Sequence, residues 1–353
     1  MTFRVIQWAT GGVGRGAIEA IARHPELELA GCWVHSAGKD GRDAGEIAGI
    51  GPVGVAATRD AAALVALAAD CVVYAPLVPD TATVVAFLQS GKNVVTPVGW
   101  IYPDPARVAE IQAACQAGAA TLHGTGIHPG GITERFPLML SSLSSAVTRV
   151  RAEEFSDIRT YDAPDVIRHV MGFGGTPAEA LGSPMAALLG GGFKASVRMI
   201  VDAMGFGTGG TVHTTQEVAV ATAPIDSPIG TIEPGQVAAR RFRWQAMADD
   251  RPVVTAAVNW LMGEDHLDPG WSFGPAGHRF EIEITGDPSF LVTFSGLHPS
   301  SVADGLIRNP GVVATANHCV NAIPYVCRAA PGIKTYLDLP LIAGRAVTAE
   351  VVR

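Results

Sequence analysis

The first third of the chain alternates between short apolar runs and segments in which apolar residues recur with helical spacing. The apolar runs are predicted to be buried strands at 3–9, 27–35, 71–76, 93–97 and 120–130, the last of which runs into a turn. The segments between them are predicted helices at 15–25, 59–68 (with Thr58 as N-cap), 80–92 and 106–118. Strand–helix alternation with short links predicts a doubly wound parallel sheet.

After about residue 130 the pattern changes to a period of two, which is typical of half-buried antiparallel strands. These strands are predicted at 148–158, 213–225, 235–248, 252–262 and 279–296. Helices are predicted at 162–173, 177–190 and 192–206, with turns or hinges at the glycine runs 190–192 and 207–210. The tail, 311–332, is predicted to be helical up to about Ile323 and then to turn at a proline. The second part is therefore predicted to be an α+β domain with an open sheet of antiparallel strands, one face of which is covered.

Length and composition favour a two-domain enzyme. The chain has 353 residues, of which 48% are hydrophobic and 16% charged, which argues against disorder. We expect the boundary between the two domains near residue 130, where the pattern of the chain changes. The net charge is −8 and no Lys/Arg block occurs, so a nucleic-acid partner is not expected.

The start of the chain has no signal-peptide pattern, and the longest apolar run is interrupted by Asp70 and Pro76, so no membrane span is expected. Five scattered cysteines show no CxxC spacing, which argues against a disulfide framework or a zinc site. A reducing cytoplasm is the expected compartment. No metal is expected, because "HTTQE" and "EDHLDP" lack paired ligand spacing on one helix.

A glycine-rich turn follows the first predicted strand and opens a helix. Gly12, Gly14 and Ala17 fit G-x-G-x-x-A, and Gly11 with Gly14 and Ala17 fits the related G-x-x-G-x-x-A spacing. Such a turn lets a pyrophosphate approach the backbone at a helix N-terminus. In this strand–helix–strand context the motif predicts a Rossmann domain that binds a nicotinamide dinucleotide.

The residues after the second strand favour NADP(H) over NAD(H). NAD enzymes usually place an acidic residue there to bind the ribose 2′-hydroxyl. This chain instead has His35, Ser36 and Lys39, followed by Arg42, and Arg15 lies in the glycine loop. The absence of an acidic residue at the strand end and the presence of nearby cations indicate that this loop binds the 2′-phosphate of NADP(H).

Several segments together resemble a known family. The loop "GGVGRGA" is similar to the nucleotide-binding domain of dihydrodipicolinate reductases. Together, "WVHSAGKDGRDAGEIAGIGPVGV", "GKNVVTP", "GTGIHPGG", "YDAPDVIRHVMGFG" and "HCVNAIPYVCRAAPGIKTYLDLP" resemble the 2,4-diaminopentanoate dehydrogenase group, which includes native amine dehydrogenases. The resemblance implies a nicotinamide cofactor and a dinucleotide-binding domain at 1–130, to which the C-terminal helix and tail at 311–353 return. It also implies a mixed-sheet substrate-binding and dimerisation domain at 131–310, which supplies the substrate pocket and a dimer interface.

One departure from this family concerns the chemistry. Amine dehydrogenases of the group place a glutamate a few residues after the "NVVT" strand, near the nicotinamide. Here the stretch 96–103 reads "TPVGWIYP" and holds no carboxylate. Asp104 follows, but it precedes Pro105, where a helix cap is the simpler role.

Candidate residues for the chemistry follow from position and residue type. His128, after the last strand of the first domain, is the candidate proton donor, although it could equally serve only the Gly/Pro turn. His123 is expected to be structural, and Tyr161 is a second candidate hydroxyl. Val98 is expected beside the substrate, with an apolar wall of Trp100, Tyr102, Met171 and Phe173, although aromatic and Met residues at such spacing are more often core. The candidate cofactor contacts are Gly11, Gly12, Val13, Gly14, Arg15, His35, Ser36, Lys39, Pro76, Leu77, Thr96, Pro97 and, by resemblance, Asn321.

The sequence thus predicts an NADP(H)-dependent oxidoreductase that acts on C=O or C=N in a small, mostly apolar substrate. Amine dehydrogenase and carbonyl or imine reductase remain open within this prediction. A dinucleotide-binding sensor without turnover is the alternative, and the absent glutamate favours it.

Overall fold

The computed structural model describes residues 2–346, except for the side chains of 184–189. The chain divides into two compact units, one formed by the residues up to Gly126 and from Val312 onward, the other by Ile127–Gly311. Residues 347–353, the end of the predicted C-terminal return, lie outside the described residues. Among the described residues, no helix combines the length and the apolar character that crossing a membrane requires.

The first unit begins with alternating strands and helices. In chain order they are β1 (Phe3–Trp8), α1 (Gly12–Arg23), β2 (Leu27–Trp33), α2 (Ala44–Ala48), β3 (Ala57–Thr58), α3 (Ala61–Ala66), β4 (Cys71–Tyr74), α4 (Thr81–Gln89), β5 (Asn93–Thr96), α5 (Ala109–Ala117) and β6 (Thr121–Gly124), with short 3₁₀ turns at Ala37–Lys39 and Pro105–Arg107.

The second unit is built mainly from long strands. Its elements are α6 (Phe136–Leu140), β7 (Ser145–Asp157), α7 (Pro177–Leu181), α8 (Pro184–Met204), β8 (Val212–Ala221), β9 (Ile225–Ser227), β10 (Gly230–Ile232), β11 (Val237–Ala248), β12 (Arg251–Leu261), β13 (Leu267–Asp268), β14 (Arg279–Asp287), β15 (Phe290–Phe294) and α9 (Val302–Ile307), with short 3₁₀ or π turns at Gly131–Arg135, Ser141–Leu143, Ile158–Thr160 and Val166–Val170. The chain then continues through α10 (Pro310–Val326) and β16 (Gly332–Ile333).

The sheet of the first unit is parallel and has seven strands in the order β16-β6-β5-β4-β1-β2-β3. The order reverses between β1 and β4, which is the position where doubly wound sheets bind ligands at the carboxyl ends of their strands. All four residues of β4 are buried, as expected for a strand covered on both faces. The predicted fold class is confirmed for this unit.

The second sheet also has seven strands, in the order β13-β8-β11-β12-β7-β14-β15. The pair β7 and β12 is parallel and the other pairs are antiparallel, so the sheet is mixed, as the family resemblance implied, and not purely antiparallel, as the pattern of period two indicated. One face packs against α8, where Phe193 stacks on Trp244 with ring centroids 4.1 Å apart. The core of this unit therefore lies on one side of the sheet.

Four local predictions need correction. The N-cap of α3 is Asp60, whose side chain accepts from the Ala63 N–H, and not Thr58. The helix predicted at 162–173 is shorter, a single π turn at Val166–Val170. The predicted hinge at 190–192 lies inside α8, and α10 continues through Pro324 to Val326.

Tertiary packing explains the glycine run in α8. A Cβ on Gly190 would lie 2.9 Å from Nε1 of Trp244, and one on Gly192 would lie 3.0 Å from Cγ of Pro129. These glycines let the helix approach its neighbours closely, which local propensity alone cannot predict. The glycine run at 207–210, in contrast, forms the predicted turn, because Gly209 and Gly210 have φ values of 63° and 81°.

Candidate functional site

The N-terminus of α1 has main-chain N–H groups that no side chain caps. Gly11 is the N-cap residue, with φ −72°, and no side chain caps the helix. No acidic residue lies in the first turn. A Cβ built on Gly11 would meet nothing within 4 Å, so the backbone there is open to a ligand. An uncapped helix N-terminus with open backbone is a ready site for an anion.

Gly14 has a different role from Gly11. A Cβ at Gly14 would lie 2.1 Å from the carbonyl oxygen of Ala9, so only glycine fits between the strand end and the helix. Ala9 itself has a positive φ of 74°. The buried Gln7 side chain donates from Nε2 to the carbonyl oxygens of Ala9 at 2.8 Å and Trp8 at 3.1 Å, which fixes this turn. Gln7 was not predicted as a site residue, because a single polar residue in a buried strand does not indicate a ligand.

Two further small residues of α1 contact α10. A Cβ on Gly12 would lie 3.3 Å from Cγ1 of Val312, and one on Gly16 would lie 3.1 Å from Cβ of Ala316. Gly12 and Gly16 are four residues apart and therefore share one helix face. Gly12 of the motif and Gly16, which lies outside it, thus let α10 pack closely against α1.

The chain after β2 carries cations and has no acid at the strand end. The strand ends at Trp33 rather than at the predicted His35, and His35 and Ser36 are exposed. Lys39 Nζ lies 3.3 Å from the Thr10 carbonyl oxygen and 3.2 Å from Thr10 Oγ1, so it reaches the strand end that precedes the glycine turn. Arg59 Nε donates to the His35 carbonyl oxygen at 3.1 Å.

Both nearby carboxylates already accept main-chain donors. Asp40 Oδ1 accepts from the Arg59 N–H at 3.0 Å. Asp43 caps α2 and accepts from the N–H groups of Gly45, Glu46, Val53 and Gly54, which lowers its pKa. These bonds give both side chains structural roles.

The carboxyl ends of β4 and β5 contribute apolar and main-chain groups. Pro76 is half-buried and Leu77 is 57% exposed. Thr96 is buried and its Oγ1 accepts from the Val98 N–H at 3.1 Å. Pro97, Val98, Trp100 and Tyr102 are half-buried. Asp104 accepts from the Ala106 N–H at 3.0 Å, which confirms the predicted capping role.

The first unit also has a polar cluster at the end of β6. Thr125 Oγ1 lies 2.5 Å from the Tyr336 hydroxyl and 3.2 Å from His318 Nδ1, which in turn lies 2.5 Å from the Gly126 carbonyl oxygen. His123 is buried, with Nδ1 2.7 Å from the Lys334 carbonyl oxygen, as expected of a structural histidine. Asn321 is half-buried on α10, and its side-chain nitrogen lies 3.9 Å from a Cβ built on Gly344.

His128 lies inside the second unit. Its side chain is only 1% exposed. Nδ1 is 2.8 Å from Thr133 Oγ1 and Nε2 is 3.2 Å from the Ala257 carbonyl oxygen. Burial lowers its pKa to about 3, so the imidazole is neutral at pH 7. This geometry argues against the predicted role of His128 as a proton donor and favours the structural interpretation of the Gly/Pro turn.

A glutamate with an unusual pKa lies beside His128. Glu154 on β7 accepts from Ser156 Oγ at 2.6 Å, and its Oε2 is 3.9 Å from His128 Nε2. Burial raises the pKa of Glu154 to about 7, against the opposing contacts of Ser156 and Trp260. A carboxylic acid that titrates near neutrality can act as an acid or a base. Glu154 was not among the residues predicted from the sequence.

The remaining predicted site residues of this unit differ in exposure. Tyr161 is half-buried, and burial together with the Glu154 charge raises its pKa. Met171 and Phe173 are 6% and 1% exposed and belong to the core, so they offer a substrate little surface. Among residues 2–346, no group of three or more metal-ligating side chains is arranged to hold a metal ion.

Family models match most of the chain. Residues 5–117 match the N-terminal domain of dihydrodipicolinate reductase, and residues 132–352 match the C-terminal domain of 2,4-diaminopentanoate dehydrogenase. An amine dehydrogenase from Streptomyces virginiae is 32% identical over 95% of this chain and 96% of its own length.

Two more distant similarities extend this result. A 2,4-diaminopentanoate dehydrogenase from Acetoanaerobium sticklandii is 24% identical over 72% of this chain and 66% of its own length. The solved structure of an amine dehydrogenase from Mycobacterium smegmatis superposes with a TM-score of 0.80 at 21% identity, covering 98% of both chains. That structure has the same fold.

Proposed function

We propose a specific activity for this chain, which belongs to the family of 2,4-diaminopentanoate and amine dehydrogenases: it uses NADP(H) to act on the C=O or C=N bond of a small, mostly apolar substrate. As a member of this family, the chain is an NAD(P)-dependent oxidoreductase with a small-molecule substrate. We propose three further points: that the cofactor is NADP(H) rather than NAD(H), that the reaction occurs at a C=O or C=N bond, and that the residues named below form the site.

The fit of the first unit to a dinucleotide supports the cofactor assignment. The N–H groups of Gly11, Gly12, Val13 and Gly14 would hold the pyrophosphate at the uncapped start of α1. Bound there, the cofactor supplies the hydride, while the protein orients the substrate and supplies the proton. Further cofactor contacts are proposed at the loop ends of β2, β4 and β5 and on α10: Arg15, His35, Ser36, Lys39, Pro76, Leu77, Thr96, Pro97 and Asn321.

One observation carries the preference for NADP(H). Where an NAD enzyme would present a free carboxylate, Asp40 and Asp43 already accept main-chain N–H groups. Two cations, Lys39 and Arg59, lie at the same loop. A 2′-phosphate pairs with such cations, whereas a 2′-hydroxyl would lack its usual acceptor.

The substrate assignment rests on the segment after β5. Val98, Trp100 and Tyr102 would present mainly apolar surface to a substrate, and the stretch 97–103 contains no carboxylate. The family's amine chemistry therefore needs a proton-handling residue from elsewhere in this chain. A ketone, an aldehyde or an imine is the proposed acceptor.

The cofactor proposal is tested by titrating the protein with NADPH and with NADH and following cofactor fluorescence. We expect NADPH to bind more tightly, and Lys39→Ala and Arg59→Ala each to weaken NADPH binding about 10-fold, because each removes a charged contact to phosphate. NADH binding should hardly change. Arg23→Ala is the matched control, since Arg23 pairs with Glu19 at the far end of α1. Equal affinity of the unaltered protein for both dinucleotides would contradict the proposal.

A panel of carbonyl compounds with and without ammonia, and of amines, tests the reaction. We expect NADPH oxidation with apolar carbonyl compounds, or NADP⁺ reduction with apolar amines. Tight NADPH binding without turnover across the panel would instead favour a dinucleotide sensor. Val98→Glu tests whether the family carboxylate can be restored, and it is preferable to Gly99→Glu, because Gly99 has φ 113°.

We further propose a homodimer in a reducing cytoplasm. The face of the second sheet opposite the core carries ion-paired residues such as Arg151 and Arg243, which suits a polar contact between two copies. All five cysteines are free thiols, as expected where disulfides do not form. Sedimentation velocity at low and high salt tests the dimer.

A further inference from the structure

We propose that Cys71 and Cys327 form a redox modification site, in which a hydroperoxide converts the two thiols into an intramolecular disulfide. The site lies within the first unit and is independent of the reaction proposed above. It joins two residues that are far apart in the sequence, one at the start of β4 and the other directly after α10.

The fold of the first unit brings the two thiols together. Cys327 Sγ lies 4.0 Å from the carbonyl oxygen of Asp70, the residue that precedes Cys71. The Cys71 and Cys327 thiols contact each other, and both residues belong to one hydrophobic cluster between the sheet and α10. Thiols in contact are in the position from which a disulfide forms, with an S–S bond of about 2.05 Å.

The surrounding structure holds both partners in place. The Cys327 N–H donates to the Ile323 carbonyl oxygen at 2.9 Å, and the guanidinium of the next residue, Arg328, lies 5.1 Å from the centre of the Phe3 ring. Cys71 is fixed by β4, which pairs with β1 and β5. Partners held in this way react with each other at a high effective concentration. A bond between them is therefore favoured over a bond to a thiol in solution.

The other three cysteines differ from this pair. Cys32, Cys115 and Cys319 are buried, and burial raises the pKa of each of their thiols. Within residues 2–346, a second thiol contributes to such a shift at Cys71, where it is Cys327, and at none of these three. The geometry thus selects one pair among the five cysteines.

Exposure gives the two thiols different roles. Cys327 is half-buried, so a small oxidant can reach it, whereas Cys71 is 0% exposed. Burial, together with the contact to Cys327, raises the pKa of Cys71, so this thiol stays protonated and does not react with the oxidant on its own. Cys327 is therefore the residue that is oxidised first, and Cys71 is the residue that completes the disulfide.

The proposed step balances with one hydroperoxide. The Cys327 sulfur attacks the O–O bond, takes one oxygen as a sulfenic acid, and releases an alcohol, or water where the oxidant is hydrogen peroxide. The Cys71 sulfur then attacks the Cys327 sulfur, the S–O bond breaks, and the hydroxyl group leaves as water with the Cys71 proton. The two thiols lose two electrons in total and the hydroperoxide gains them.

A reducing thiol reverses the modification. It attacks the half-buried Cys327 sulfur, forms a mixed disulfide and returns Cys71 to the thiol. Such a bond persists only while oxidant is present, which is the usual behaviour of disulfides in a reducing compartment.

The disulfide would join the end of α10 to the start of β4. Earlier in α10, Val312 and Ala316 pack against the first turns of α1, so the bond fixes the helix that lies on the proposed pyrophosphate site. A cross-link between distant residues restricts the unfolded chain and stabilises the fold. We expect oxidation to raise the midpoint of thermal unfolding by about 5 °C or more.

Peptide mapping of the full chain tests the site. The protein is treated with hydrogen peroxide, the remaining thiols are alkylated, and the peptides are analysed by mass spectrometry without reduction. We expect one cross-linked pair, containing Cys71 and Cys327, with a mass about 2 Da below the sum of the reduced peptides, which dithiothreitol separates. Cys319→Ala is the matched control, because Cys319 is a fully buried thiol of the same helix, and it should leave the cross-link in place.

Two variants separate the roles of the thiols. Cys327→Ser should abolish the cross-link and leave Cys71 reduced, because the buried thiol is shielded from the oxidant. Cys71→Ala should leave the sulfenic acid of Cys327 without a partner, so that it proceeds to a sulfinic acid about 32 Da heavier than the thiol. Cys327→Ser changes a half-buried position and keeps the test valid if Cys71→Ala does not fold.

Three results would overturn the inference. One is an unaltered protein in which peroxide leaves both Cys71 and Cys327 reduced. Another is a Cys327 that becomes a sulfinic acid while Cys71 remains open to alkylation after unfolding. The third is a rise in the unfolding midpoint that is as large in Cys327→Ser as in the unaltered protein.

Discussion

In the first unit, the groups that we propose as the pyrophosphate site belong to the main chain. The start of α1 has no capping side chain, and its open position, Gly11, has no side chain at all. In the second unit, the notable polar groups are side chains at or near the core: Glu134 and His128 are shielded from water, Glu154 is half-buried, and all three have shifted pKa values.

The two arrangements respond differently to pH and to substitution. Peptide N–H groups do not titrate in the physiological range, so a site built from them binds its anion over a wide pH range. Buried carboxyl groups titrate near neutrality, so they suit proton transfer and cost stability when ionised. Binding and proton transfer should therefore be separable by experiment.

The largest effect is expected at the strand–helix turn of the first unit. Gly14→Ala places a Cβ 2.1 Å from the Ala9 carbonyl oxygen and 2.9 Å from its carbon, and backbone atoms cannot move aside easily. We expect the free energy of unfolding to fall by about 3 kcal/mol and dinucleotide affinity to fall about 100-fold. Calorimetry and fluorescence titration measure the two effects.

Gly11→Ala is the control for this substitution. Its Cβ would meet nothing within 4 Å, so stability should stay within about 0.5 kcal/mol while the methyl group occupies the open backbone face. If both variants were equally stable, Gly14 would not be the residue that fixes the turn.

A smaller, pH-dependent effect is expected in the second unit. Glu134 accepts from the Gly130 N–H at 3.1 Å, and burial raises its pKa from 4.5 to about 8. Between these values the folded protein keeps a proton that the unfolded chain has lost, so the free energy of unfolding falls as pH rises through this window. Glu134→Gln removes this term, so the stability of the variant relative to the unaltered protein should rise by about 2.5 kcal/mol between pH 5 and pH 7.

Urea unfolding at pH 5, 7 and 9 checks this prediction. Glu179→Gln is the control, because the pKa of Glu179 is lowered by its capping contacts with Thr176 and this residue is ionised throughout the window. Its pH slope should match that of the unaltered protein. A Glu134→Gln variant with the same slope would show that Glu134 is already ionised in the fold.

The difference between the two units also explains which features could be predicted from the sequence. Strand–helix alternation and the glycine turn are local patterns, so the parallel sheet and the candidate anion site followed from them. Arg59 was missed because it contacts the His35 carbonyl group from 24 residues away. Thr58 was the predicted N-cap of α3, but Asp60 caps the helix, and aspartate is a stronger N-cap residue than threonine.

Glu154 was missed for a different reason. Two adjacent glutamates in a strand are typical of a solvated surface. Only the phase of the alternation, with Val150 and Ala152 four and two residues before Glu154, places one of them on the core face. Whether a polar residue in that phase meets a cation or a neutral pocket depends on residues far away in sequence, such as Trp260. Such partners depend on the tertiary structure and cannot be predicted from local sequence patterns.

The smallest expected effect concerns the glycine run inside α8. There the effect of helix propensity and the effect of tertiary packing can be measured separately at the adjacent residues Gly191 and Gly190. A Cβ on Gly191 would meet nothing within 4 Å, and the residue is exposed, so Gly191→Ala should stabilise the second unit by up to about 1 kcal/mol through helix propensity alone. Gly190→Ala should destabilise it by about 1 kcal/mol, because its Cβ would lie 2.9 Å from Nε1 of the buried Trp244. Thermal unfolding of both variants checks the sign. If both substitutions stabilised the protein, the run would be a local sequence feature, and Trp244 would not be what requires glycine at 190.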